Sequence, residues 1–168
     1  RRFDQLERLQ TIPSNDVGGM AQWTAPFLSF SRVVVGGDAR AIVAQSEDLR
    51  VPSQTQVVTR GKQVGMGAFG EWIAEPFDAL VFTAGARWDW WKNFDGARVP
   101  ASGPITAAQD NVASIINPKV SLSYRLHDRV RIGASVYQAF RAPTLNELYR
   151  DFSASGFTFL SNDRLEPE

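Results

Sequence analysis

Apolar and polar side chains alternate along much of the chain with a period of two, as in strands whose successive side chains point to opposite faces. The pattern is cleanest from Ala79 to Trp91. There Leu80, Phe82, Ala84, Ala86, Trp88 and Trp90 stand against Ala79, Val81, Thr83, Gly85, Arg87 and Asp89. From Val130 onward, Val130, Ile132, Ala134, Val136 and Phe140 share one parity. Arg131, Gly133, Ser135, Tyr137 and Arg141 share the other, and Gln138 breaks the rule. Pro143 lacks the amide donor of a ladder and is expected to stop that strand. Further strands are predicted over Val17–Thr24, Leu28–Ala39, Gln63–Ala74 and Asn117–Arg125, the second with less distinct faces. Residues 1–15 are polar and read as the tail of a strand or loop that begins earlier.

The connections fall into two kinds. Residues 25–27, 75–78 and 126–128 are short turns, whereas 40–62, 92–116 and 150–168 are long, polar and without helical periodicity. The rhythm of strand, short turn, strand, long loop repeats about every 50 residues, and a propeller blade of that period would need four strands where two are seen. Short turns on one rim and long loops on the other are the layout of outer-membrane barrels. Trp23, Trp72 and Tyr124 near the short turns, with Trp88, Trp90 and Phe140 near the long loops, match the two aromatic girdles of such a barrel. In lipid every backbone amide must find an internal partner, so such strands imply a closed sheet. The expected fold is therefore all-β, an antiparallel up-and-down transmembrane β-barrel.

Composition narrows the partners. The chain has 168 residues, and its 18 Lys and Arg balance 18 Asp and Glu, so no basic excess points to nucleic acid. Cysteine is absent, which removes disulfides, thiolate nucleophiles and cysteine metal sites. Arg1 to Arg8 has no apolar core of a signal peptide, and no run of about 18 apolar residues exists for a spanning helix. A spanning strand needs only about 9–11 residues.

Phe140-Arg-Ala-Pro-Thr-Leu-Asn-Glu-Leu-Tyr149, with Asn162 and Leu165-Glu-Pro-Glu168, resembles the barrel signature of TonB-dependent outer-membrane receptors. Gly85-Ala-Arg-Trp-Asp89 and Asn117-Pro-Lys-Val-Ser-Leu-Ser-Tyr124 are similar to the same family. The resemblance implies a barrel of about 22 strands in the outer membrane of a Gram-negative bacterium. It also implies uptake of a large scarce nutrient, such as a ferric siderophore or cobalamin, and coupling to an inner-membrane energy complex through a plug domain. The chain carries no plug and no coupling box, and it supplies six strands and part of a seventh, so it is expected to be a fragment of the barrel domain. Two other readings stay open: a small passive or structural barrel of about eight strands, and a soluble β-domain binding a partner or sugar.

Candidate chemistry is sparse. Gly65-Met-Gly-Ala-Phe-Gly70 matches the dinucleotide fingerprint, but the four residues before Glu75-Pro76 leave no room for the helix that would hold pyrophosphate. His127 is the single histidine and has no second ligand in spacing. Neither a catalytic residue, a metal nor a cofactor is expected. Trp91 and Phe94 in one long loop and Phe157 and Phe159 in another are candidates to stack on a bulky ligand. Arg87, Asp89, Arg131 and Arg141 share the polar parity and are expected to face the lumen or a plug.

Overall fold

A computed structural model of the chain describes residues 8–51, 53–149, 152–154, 157–159 and 162–167. Its elements run β1 (Arg8–Thr11), β2 (Ser14–Leu28), β3 (Ser31–Arg50), β4 (Thr55–Phe77), β5 (Leu80–Pro100), β6 (Thr106–Ala107), β7 (Asn111–His127), β8 (Val130–Tyr137), α1 (Leu145–Tyr149), β9 (Phe152–Ala154) and β10 (Phe157–Phe159). β1 to β8 make one antiparallel sheet of eight strands, and β9 pairs with β10 separately. β1 and β2 both lie along β3, and β6 extends the line of β7 beside β5, so the eight strands form six rows. The outer rows, β2 and β8, do not pair with each other. Among the described residues the sheet is thus an open, partial barrel.

The expected parities persist across the whole sheet. Trp23, Val35, Gly70, Ala86 and Pro118 stand in one row, and Gly19, Ala39, Met66, Trp90 and Ser114 in another. Along β5 this face carries no charge from Leu80 to Trp90, nor does it along β4 from Val64 to Ala74 or along β3 from Ser31 to Val43. Ten steps of about 3.3 Å, tilted about 40°, make this band about 25 Å tall, the thickness expected of a lipid-facing strip. Over the same interval the opposite face carries Asp38, Arg40, Glu71, Arg87, Asp89 and Lys119. The apolar side chains do not gather into a core: Ile132 is 59% and Val136 79% exposed. On the apolar face the Trp88 indole N–H donates to Ser114 Oγ at 2.7 Å, while Ser31 Oγ and the Trp72 indole N–H have no partner among the described residues.

The strands outrun the lengths expected of them. Residues 40–62 were expected to be a loop, yet β3 continues to Arg50 and β4 starts at Thr55. In the same way β5 runs to Pro100 and β7 starts at Asn111, leaving 101–110 as the connection with β6 inside it. Beyond an apolar band both faces of a strand are wetted, so alternation fades while the backbone ladder continues. The turns shift likewise: β2 runs through Pro26 to a turn at 29–30, and β4 passes Pro76 through a register shift between Ala74 and Phe77. Residues 150–168 were also expected to be loop and instead contain β9 and β10.

The largest departure follows β8, which ends at Tyr137 rather than near Pro143. The chain then crosses the charged face and forms α1, a helix the sequence pattern did not announce. Phe140 therefore leaves the apolar parity assigned to it. It packs with Leu145 and Ala142 against the buried cluster of Trp91, Leu148 and Tyr149.

Candidate functional site

The charged face is held by ionic bridges that pass over glycines. Arg87 on β5 reaches across β4 to Asp38 on β3, with Nη1 donating to Oδ2 at 2.7 Å and Nη2 to Oδ1 at 3.1 Å. Its Nε donates to Asp89 Oδ1 at 2.7 Å. The guanidinium crosses Gly67, where a Cβ would collide with Nη2. Asn117 Nδ2 donates to the other Asp89 oxygen at 2.8 Å and extends the network to β7. A second bridge, Lys119 Nζ to Glu71 Oε1 at 3.1 Å, joins β7 to β4 over Gly85.

These bridges border two hollows. One, of about 610 Å³, lies between the Glu71–Lys119 pair and the returning segment at 137–140. The other, of about 260 Å³, lies on the far side of Arg87 and Asp89, against Trp91 and Phe140. Asp38, Glu71 and Asp89 face three cations, Arg40, Arg87 and Lys119, so the charges lining the two hollows balance. Asn117 is buried and its Oδ1 has no hydrogen-bond partner among the described residues. A buried acceptor of this kind favours an occupant that brings a donor.

The returning segment is fixed at both ends of α1. Thr144 Oγ1 accepts from the Glu147 amide at 3.3 Å, and the Thr144 amide donates to Glu147 Oε2 at 2.8 Å. That reciprocal pair is a capping box. Arg141 Nη2 donates to Glu147 Oε1 at 2.7 Å. The two hydrogen bonds from Thr144, amide first and hydroxyl second, hold the Glu147 carboxyl below its ordinary range. At the other end the Tyr149 ring covers Gly61 and Gly96, and its hydroxyl accepts from Asn93 Nδ2. Burial pushes the Tyr149 phenol above its ordinary value, against the lowering effect of the Asn93 bond. Gln63 Nε2 ties the middle of the segment to the wall by donating to the Pro143 carbonyl at 2.9 Å.

The aromatic candidates separate. Trp91 and Phe94 lie in β5 rather than in a loop. Trp91 is 2% exposed beneath α1, so packing takes up its ring faces. Phe94 is on the opposite face, where Lys62 and Lys92 place their ammonium groups 5.9 Å and 5.5 Å from its ring centre. Phe157 and Phe159 are strand residues of β10, and their side chains lie outside the described residues. Among the charged candidates Arg87 and Asp89 meet in one network, while Arg131 stands opposite Arg125 near the short turns and Arg141 braces α1. Sequence reasoning overlooked Asp38, Asn117 and Asn93 as site residues. Asp38 and Asn117 share the polar parity with Arg87, a usable signal only once the register is known. Gly65 to Gly70 stays in β4 with no helix after it, and His127 ends β7 exposed. No group of three metal-binding side chains occurs among the described residues.

A family profile described as "TonB dependent receptor-like, beta-barrel" matches residues 3–168. The chain belongs to the TonB-dependent receptor barrel family. This is a family of receptors and transporters, located in the outer membrane of Gram-negative bacteria and serving nutrient uptake energised through TonB at the inner membrane. No curated protein and no solved structure matches the chain.

Proposed function

We propose that the chain forms part of the barrel wall of an energy-coupled outer-membrane receptor for a large scarce nutrient such as a ferric siderophore or cobalamin. The observation that carries this reading is the sheet's two-sidedness: a charge-free band about 25 Å tall, backed by the Asp38–Arg87–Asp89–Asn117 network. In this reading the apolar face meets lipid and the charged face lines the lumen. Arg87, Asp89 and Arg131 then face a plug, and the plug, contributed from outside these residues, carries the coupling to the inner membrane. A plug or cargo donor fits beside Asn117 Oδ1, an unsatisfied acceptor of the wall. Phe157, Phe159 and Arg141 belong to the rim where cargo enters.

Uptake of labelled ferric siderophore and labelled cobalamin by cells carrying the whole receptor tests the proposal. Accumulation of one of them that collapses when the inner-membrane proton gradient is discharged is the expected result. Entry that is indifferent to the gradient would instead mark a passive barrel.

A further inference from the structure

We propose that the apolar face bears, at the rim above its charge-free band, a docking site for the phosphate-bearing headgroup of a membrane lipid, centred on Arg60 and Lys62. The inference rests on the receptor reading, because it needs the band to lie in a bilayer.

Register carries the argument. Above the row of Ala39, Met66 and Trp90 comes the row of Ala41, Val64 and Lys92, then Asn15, Val43, Lys62 and Phe94, then Gln45, Arg60 and Ala97. Lys62 and Lys92 are thus the first charges met on this face when climbing β4 and β5 from the short turns. Lys62 stands about 13 Å along its strand beyond Met66, at the level where acyl chain gives way to headgroups. At this level the ladder breaks: the register shifts between Arg60 and Lys62, and Asp95 opposite has φ 55°. A bulge re-aims side chains, and here it opens a hollow of about 530 Å³ that Arg60, Lys62, Asn15 and Val43 line.

The chemistry of that hollow suits a phosphate held beside acyl chains. Lys62 Nζ is steadied by Asp95 Oδ2 at 2.9 Å, with Phe94 beneath it. Arg60 makes no ion pair among the described residues, and two cations face one carboxylate, so the hollow is net positive. A guanidinium presents paired donors to a phosphate, and an ammonium adds a point charge. Val43, 48% exposed, continues the apolar surface directly below. A soluble anion would find the cations but leave this floor bare, whereas a lipid covers both.

The test uses the whole receptor, reconstituted in vesicles of phosphatidylcholine containing phosphatidic acid, with the lipids retained on the protein counted by native mass spectrometry. Phosphatidic acid should be retained over phosphatidylcholine, and replacing Arg60→Gln together with Lys62→Gln should lower that retention about tenfold. The charge-preserving pair Arg60→Lys with Lys62→Arg should restore it, and Arg129→Gln, in the turn at the opposite rim, should leave it unchanged. Equal retention by the doubly neutralised receptor, once it floats with the vesicles, would overturn the site. Displacement of the lipid by inorganic phosphate would overturn it too, by showing that the hollow binds a free anion. A receptor that does not float at all would sink the receptor reading and this inference with it.

Discussion

A glycine on the charged face is a passage for a side chain from another element, and what uses the passage sets the consequence of filling it. Over Gly61 lies the edge of the Tyr149 ring, with Cε2 2.6 Å from where a Cβ would stand and Leu145 Cδ2 3.2 Å away. A ring pinned by Asn93 and packed on Leu148 and Trp91 has little freedom to retreat. Gly61→Ala should therefore cost the whole receptor about 1–3 kcal/mol in urea unfolding. The same change in a Tyr149→Ala background should cost little more than Tyr149→Ala alone, because the obstacle is gone. At Gly67 the obstruction is the tip of the flexible Arg87 side chain, which can withdraw and lose its bond to Asp38. That pair is about a third exposed, so Gly67→Ala should cost below about 1 kcal/mol in the same measurement. Parity was enough to place Arg87 and Asp89 together on one face. The partnership with Asp38 was not legible, because 49 residues separate the pair and only the β3–β4–β5 register brings them across Gly67.

At the scale of elements, α1 shows a signal that was present and passed over. Thr144-Leu145-Asn146-Glu147 has the spacing of a capping box, but five helical residues cannot display a 3.6-residue rhythm, so the segment carried no helical pattern. The lengths of β3, β4 and β5 were hidden for the converse reason, since above the apolar band nothing forces their side chains to alternate. The cap also makes α1 acid-sensitive. Glu147 has its carboxyl held below its ordinary value by Thr144, so its contribution is complete above that value and is lost as pH falls through the lowered one. A spin label at exposed Asn146 should be immobile at neutral pH and gain mobility on acidification below about pH 4. Thr144→Ala removes the cap hydroxyl at a cost of about 1 kcal/mol and should produce part of that mobility at neutral pH. Equal mobility across the pH range would show that α1 is held by Leu148 and Tyr149 alone.

For the whole molecule the question is what surrounds the sheet, and the two faces give opposite answers to the same substitution. Val120 at 48% and Leu122 at 47% exposure stand on a face whose neighbours on β5 and β8 are equally apolar, and the buried cluster lies on the other side. A soluble β-domain would turn that face onto a second layer, and among the described residues none packs there. Ala84 and Ala134 belong to the apolar face, paired across strands with Val120 and Leu122. Ser121 and Ser135 sit opposite each other on the charged face of β7 and β8. Arginine at Ala84 or Ala134 must place a guanidinium in acyl chain and should cost about 2–4 kcal/mol near mid-membrane. Arginine at Ser121 or Ser135 meets water and existing charge and should be nearly neutral. Unfolding of the four whole-receptor variants from vesicles, with the folded fraction followed by gel mobility, separates the cases. Equal tolerance at all four positions would mean that the apolar face is covered by protein instead of lipid.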